Sequence, residues 1–129
     1  MNKIIIFDRF WNRNDVLKNP NYLFVFGDND AQIGIGGQAI IRGLPNTIGI
    51  PTKKYPTNHF KSFYTDNEYE TNVTHINQAI NNIITESIKY THIVLPNTGF
   101  GTGLAQLPKR APLTYQYLLK AVEALKNAL

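Results

Sequence analysis

Two glycine-rich segments, each following an apolar run, carry the residue types that could bind an anion. The first reads FVFGDN at 24–29 and GIGGQA at 34–39, and the second reads IVLPNTGFGTGL at 93–104. Because glycine has no Cβ, consecutive glycines let several backbone N–H groups approach one anion closely. A helix that begins behind such a loop adds unpaired N–H donors and the positive end of its dipole. Two segments of this kind suit a ligand that carries two phosphates.

Glycine and polar residues of these segments form the candidate binding set. Asp28 and Asn29 follow an apolar run, where ribose hydroxyls and adenine amines find acceptors, although both residue types also form turns without a ligand. Asp28 and Asp30 are the candidate catalytic bases that could orient an attacking water. The candidate ligand-binding residues are Gly27, Asp28, Asn29, Gly36, Gly37, Gln38, Asn97, Thr98, Gly99, Phe100, Gly101, Thr102, Gly103 and Leu104.

Several other chemistries lack the residues that they need. The chain has no cysteine and only three histidines, which lack paired ligand spacing, so we expect no metal site and no cofactor. Neither Ser62 nor Ser87 lies in a Gly-x-Ser-x-Gly setting, so acyl-enzyme chemistry has no support. No Gly-Lys-Ser or Gly-Lys-Thr closes either segment, which argues against an NTPase.

Composition is that of a single globular domain, predicted to span residues 1–129. No apolar run approaches the ~20 residues of a membrane span, so we expect a cytoplasmic protein without a membrane partner. The net charge of +4 favours anionic ligands, but the basic residues are scattered rather than clustered. Lys53 and Lys54 are interpreted as surface residues that could also screen phosphates.

Hydrophobic patterning places the two segments in an α/β fold. We predict strands at 3–7, 22–26, 46–50 and 92–95, a short helix at 37–43, and long helices at 72–90 and 110–128. Residues 27–36 are predicted to be loop, Pro51 to stop the third strand, and residues 53–65 to be irregular and aromatic. Alternating strands and helices predict a three-layer α/β/α sandwich with a mixed, largely parallel sheet. Ligands of such sheets bind beyond the carboxyl ends of the strands, where both segments lie.

The second segment and its flanks resemble the macrodomain, an ADP-ribose-binding α/β module. The shared pattern is an apolar strand ending in proline, a glycine-rich loop, Leu107-Pro108 and a final helix. The first segment resembles the other ligand loop of that family, and IPTKK at 50–54 is similar to the branch that includes terminal ADP-ribose–protein glycohydrolases. The resemblance extends over residues 22–129 and implies a macrodomain-like sandwich.

Two departures from that branch concern its catalytic pair. The branch pairs a lysine on the helix after the first loop with an aspartate in the second loop. Here that helix carries Arg42 as its only basic residue, and the loop stretch 104–107 reads LAQL, with Ala105 and no acid. Arginine stays protonated and cannot act as an amine nucleophile. The resemblance therefore supports binding better than catalysis.

The function that the resemblance implies is binding of ADP-ribose or a related nucleotide diphosphate, free or attached to a macromolecule. Hydrolysis of ADP-ribosyl linkages stays open, and the first alternative is a non-catalytic module that reads or sequesters a nucleotide signal. Aromatic residues at 60–64 could flank the base. A weaker alternative is a single-stranded nucleic-acid binder that stacks bases on Tyr55, Phe60, Phe63 and Tyr64.

Overall fold

Four parallel strands form the sheet of this protein, as seen in a computed structural model that describes residues 3–129. The strands are β1 Ile4–Ile6, β2 Tyr22–Asn29, β3 Thr47–Lys53 and β4 His92–Leu95. Their order is β1-β4-β2-β3, and all three pairs are parallel. Within residues 3–129 the only antiparallel pairing is an isolated bridge between Lys53 and Phe63, so the sheet is not mixed. The carboxyl ends of neighbouring β2 and β4 consequently lie at the same end of the sheet.

Helices fill the connections between these strands, which confirms the α/β class. The α-helices are α1 Arg13–Leu17, α2 Tyr69–Ser87, α3 Leu107–Arg110 and α4 Pro112–Ala128, and the 3₁₀ helices are Gly37–Ile41, Phe60–Ser62 and Asp66–Glu68. A capping box starts α1, in which the Asn12 side chain accepts a hydrogen bond from Asp15 N and Asp15 Oδ2 accepts one from Asn12 N. These bonds satisfy N–H groups that the first turn of a helix leaves unpaired.

Alternating residues of β2 supply two apolar cores. Leu23 and Val25 belong to a cluster that includes buried residues of α2 and α4. Phe24 and Phe26 belong to a second cluster, together with Trp11 and residues of α1 and the Gly37–Ile41 helix. Successive strand side chains point to opposite faces, so the two clusters lie on opposite sides of the sheet. The continuous apolar run of β2 is explained by this burial on both faces.

Two strands are longer than their sequence patterns predict. β2 continues beyond Phe26 through Gly27, Asp28 and Asn29, which the sequence assigned to a loop. β3 continues through Pro51 to Lys53, whereas Pro51 was expected to end it. Phe24 N donates to Asn46 O at 3.0 Å. In a parallel ladder every second residue bonds to the same neighbouring strand, so the backbone groups of residues 47, 49 and 51 point away from β2. Because β3 is an edge strand, the missing N–H of Pro51 costs no ladder hydrogen bond.

The long helices also differ from prediction at their ends. α2 begins at Tyr69 and ends at Ser87, three residues earlier at each end than the predicted helix at 72–90. The predicted helix at 110–128 is divided at Ala111, where φ is −149° and α3 gives way to α4. A residue that precedes proline is disfavoured in the helical region, which explains the break before Pro112. None of the helices within residues 3–129 combines the length and hydropathy that a bilayer span requires.

Candidate functional site

Both glycine-rich segments line one cleft at the carboxyl ends of β2 and β4. The cleft has a volume of about 420 Å³, which lies within the usual range for small-molecule sites. The first loop (residues 30–36) and the helix after it contribute Gly34, Gly36 and Gly37, and the second loop (residues 96–106) contributes Thr98 and residues 101–105. The structure therefore brings together two segments that are far apart in the sequence.

The side-chain amide of Gln38 connects the two loops. Its Nε2 donates to Gly99 O at 2.8 Å and to Thr98 Oγ1 at 3.3 Å. Its Oε1 accepts a hydrogen bond from Gly27 N at 2.7 Å. The amide thus bonds to the end of β2 and to the second loop at once. Gln38 was predicted as a ligand contact, which stays a prediction, and in the structure its side chain connects the two loops.

Glycine is structurally necessary at some positions of the cleft but not at others. Gly101 has a φ of +82°, and a Cβ built there would lie 2.9 Å from Leu107 Cδ2, so both backbone and packing demand glycine. Gly36 has an ordinary φ of −78°, and a Cβ there would meet only Leu104 Cδ1 at 3.7 Å. Gly36 is therefore a position where a larger side chain could enter the cleft without disturbing the core.

Asp28 lines the cleft but its carboxylate is bound by Arg42. Arg42 Nη1 donates to Asp28 Oδ2 at 3.1 Å, Arg42 Nη2 donates to Asp28 Oδ1, and Asn29 N adds a bond of 2.7 Å to Oδ1. The two side chains are only 8% and 19% exposed. Arg42 Nε also donates to Gly34 O at 2.7 Å, so the pair supports the first loop. With both oxygens bonded, this carboxylate is arranged to anchor the loop rather than to accept a proton from water.

Asp30 lies outside this cleft. Its carboxylate accepts a hydrogen bond of 2.5 Å from the Tyr64 hydroxyl, and its Oδ1 lies 3.1 Å from His75 Nδ1. Burial, followed by this bond to Asp30, raises the pKa of the Tyr64 phenol far above its ordinary value. Asp30 and His75 line a separate groove of about 600 Å³, here called the edge groove, beside β3 and α2. Asp28 and Asn29 line the edge groove as well as the cleft, whereas Asp30 lines only the edge groove.

Most of the other predicted ligand residues line the cleft, with three exceptions. Asn97, Gly99 and Phe100 do not line it, and Phe100 is buried in the core cluster beneath α2 and α4. Asn29 is buried at the cleft wall, where its Nδ2 donates to Ile33 O at 2.8 Å. The predicted residues that line the cleft are Gly27, Asp28, Asn29, Gly36, Gly37, Gln38, Thr98, Gly101, Thr102, Gly103 and Leu104.

Lys53 is the cleft residue that the sequence interpretation placed wrongly. It is only 6% exposed and lines the cleft, whereas its neighbour Lys54 forms a partly exposed ion pair with Glu68. Burial, and then the nearby charge of Arg110, lowers the pKa of Lys53. Pro51 was interpreted as the end of the strand, which placed Lys53 outside it. Because an edge strand can contain proline, β3 instead continues to Lys53 at the carboxyl end of the sheet.

The aromatic segment does not form the stacking platform that was considered. Phe63 and Tyr64 are 2% and 1% exposed, so neither can stack on a base, while Tyr55 and Phe60 are exposed. The antiparallel bridge between Lys53 and Phe63 pairs this segment with the end of β3, and Tyr64 belongs to the core cluster that includes residues of α2 and α4. Of the four aromatic residues considered, Tyr55 and Phe60 are therefore the two that could stack on a base.

Comparison with known proteins assigns the chain to a family but not to an activity. The model of a family of unknown function, DUF7831, matches residues 6–121. The chain belongs to that family. No curated protein and no solved structure matches it. The match includes both glycine loops, Arg42 and Lys53, so the whole cleft lies within the family region.

Proposed function

We propose that the cleft binds ADP-ribose or a related nucleotide diphosphate. The observation that carries this proposal is the meeting of both glycine loops in one cleft, with Gln38 and Gly99 in contact across 61 residues of sequence. Glycine-rich backbone around a cleft offers N–H donors that phosphate oxygens accept without side-chain interference. In this arrangement the first loop binds the proximal ribose and phosphate, and the second binds the diphosphate and distal ribose.

We further propose that the fold is macrodomain-like, a three-layer α/β/α sandwich. Support comes from the two apolar clusters on opposite sides of the sheet and from the two loops at its carboxyl end. In this arrangement α2 and α4 form one outer layer. The short α1 and the Gly37–Ile41 helix form the other.

Binding without fast hydrolysis is the form of the function that the site favours. Both oxygens of Asp28 are bonded by Arg42, and Asp30 lies in the edge groove rather than in the cleft. Arg42 also cannot supply an amine nucleophile. The cleft thus contains donors for a nucleotide diphosphate, but its one lining carboxylate within residues 3–129, Asp28, is not free to activate water. Such a site suits a module that reads or sequesters its ligand.

A thermal-shift panel tests the proposed ligand class. A ligand that binds only the folded state stabilises it by mass action, about 2.7 kcal/mol at a concentration of 100 Kd. We expect ADP-ribose to raise the Tm clearly and adenosine to raise it far less, because the loops are assigned to phosphates. Equal shifts with the two compounds would contradict that assignment.

Gly36→Val provides the matched variant. Its side chain would occupy the cleft, so we expect the ADP-ribose shift to disappear while circular dichroism and the Tm of the free protein stay close to wild type. Thr85→Val places the same side chain on an exposed part of α2 and serves as the control. Gly101→Val is unsuitable, because contact with Leu107 would disturb the fold itself. A folded Gly36→Val protein that binds like wild type would remove the first loop from the site.

A further inference from the structure

Lys53 is a buried cation in the wall of the cleft without a carboxylate partner among residues 3–129. Its Nζ donates to Thr57 O at 2.9 Å and lies 4.5 Å from the centroid of the Phe63 ring. These contacts are a carbonyl and an aromatic face, and neither carries a compensating negative charge. A charge removed from water is costly unless it is paired. The folded protein therefore carries an electrostatic cost at this position.

Neighbouring charges increase this cost. The Arg110 guanidinium lies 3.7 Å from the centroid of the same Phe63 ring, and its Nε donates to the neutral side chain of Gln106. Asp28, the acid in the cleft wall, is neutralised by Arg42. Asp30 is bonded by Tyr64 and lies beside His75. With Asp28 and Arg42 counted as a neutral pair, Lys53 gives the cleft wall a positive charge that no carboxylate within residues 3–129 pairs.

The neighbouring lysine, Lys54, has a different environment from Lys53. Lys54 forms an ion pair with Glu68, as surface lysines commonly do. Lys53 is more buried than Lys54 but has no acidic partner in the described part of the chain. Lys53 lines the same cleft as the glycine loops, so an anion that enters the cleft could supply the missing counter-ion.

We propose that Lys53 is an anion-binding residue whose counter-ion is a phosphate group of the ligand. This inference rests on the proposed nucleotide-diphosphate cleft. It adds the residue that selects ligands carrying a negative charge. Ligands with a phosphate next to the glycine loops form a charge-assisted hydrogen bond with Lys53, and uncharged nucleosides do not. Selection between nucleotide and nucleoside then depends on Lys53 as well as on the loops.

Stability and binding should respond to this lysine in opposite directions. Removing an uncompensated buried charge relieves a cost in the free protein, so Lys53→Met should raise the Tm. The same change removes the counter-ion of the ligand, so anion affinity should fall. A lysine with a purely structural role would behave otherwise, because its removal would lower the Tm.

Isothermal titration calorimetry with ADP-ribose and inorganic pyrophosphate tests the proposal on wild type, Lys53→Met and Lys54→Met. We expect Lys53→Met to weaken both probes by about tenfold to a hundredfold, the usual range for a hydrogen bond to a charged group. Lys54→Met should remain within about twofold, since its partner is Glu68. Lys53→Arg, which keeps the charge, should bind both probes more tightly than Lys53→Met.

Each outcome decides between the two proposals. If wild type binds pyrophosphate through Lys53 but not ADP-ribose, the anion subsite stands and the nucleotide assignment fails. If ADP-ribose binds equally to wild type and Lys53→Met, the cleft stands and the Lys53 inference is overturned. Failure of both probes to bind wild type would overturn both. Unfolding of Lys53→Met would also overturn the inference, because it would show that Lys53 stabilises the free protein.

Discussion

Individual polar residues of the site are distinguished by their partners rather than by their types. Asp28 has a carboxylate that could act as a catalytic base, yet Arg42 binds both of its oxygens. Lys53 is of a residue type that usually lies at the surface, yet it is buried and has no carboxylate partner within residues 3–129. The Asp28–Arg42 pair and the burial of Lys53 depend on how residues 30–42 and 54–63 fold, so residue type and spacing alone could not assign the roles of Asp28 and Lys53.

The lowered pKa of Lys53 predicts how stability depends on pH. The unfolded chain retains the ordinary lysine pKa of about 10.4, so between the folded and unfolded values it binds more protons than the folded protein. The contribution of Lys53 to stability therefore rises with pH across that interval, and its cost is greatest below it. We expect the Tm advantage of Lys53→Met to be largest near neutral pH and to shrink as pH approaches about 10.4.

Thermal melts of wild type and Lys53→Met at a series of alkaline pH values measure this difference directly. Lys54→Met is again the control, since the structure gives that lysine an exposed acidic partner. A difference in Tm that widens with pH would contradict the burial of an unpaired charge at Lys53.

Among the secondary-structure elements, the buried strands and the amphipathic helices are predictable from sequence. β4 was predicted with its exact bounds, and α2 and α4 were predicted to within three residues at their ends apart from the break at Ala111. The ends of β2 and β3 were not predictable, because glycine and proline usually interrupt strands. Here Gly27 and Pro51 are allowed by the tertiary environment: Gly27 N bonds to Gln38, and Pro51 lies on the edge strand.

Gly49 in β3 provides a test of how that strand supports the site. A Cβ at Gly49 would lie 2.6 Å from Asp28 Oδ2 and 2.7 Å from Asp28 Cβ. Gly49→Ala should therefore displace Asp28 from Arg42 and destabilise the protein by about 1–3 kcal/mol, the usual cost of overpacking. Gly103→Ala is the matched control, because a Cβ there would have no neighbour within 4 Å. Urea denaturation of the two variants measures the difference, and equal stabilities would show that Asp28 can move without cost.

At the level of the whole molecule, the sequence predicted that two glycine-rich segments lie at strand ends, but not how the two segments meet. Both glycine segments, their place at strand ends and the α/β class followed from local patterns and from the family resemblance. The strand order that makes β2 and β4 neighbours depends on long-range pairing, as does the contact between Gln38 and Gly99. The arrangement of the cleft and the edge groove on either side of Asp28 and Asn29 likewise depends on tertiary packing.

The two loops are proposed to form a single binding site for a nucleotide diphosphate. Amide chemical-shift mapping of the labelled protein during titration with ADP-ribose tests this proposal most directly. We expect amides at 34–39 and at 97–104 to shift together along one saturation curve, with little change beside His75 in the edge groove. Shifts confined to one loop, shifts centred on exposed Tyr55 and Phe60, or the absence of any shift would show that the two loops do not form one binding site.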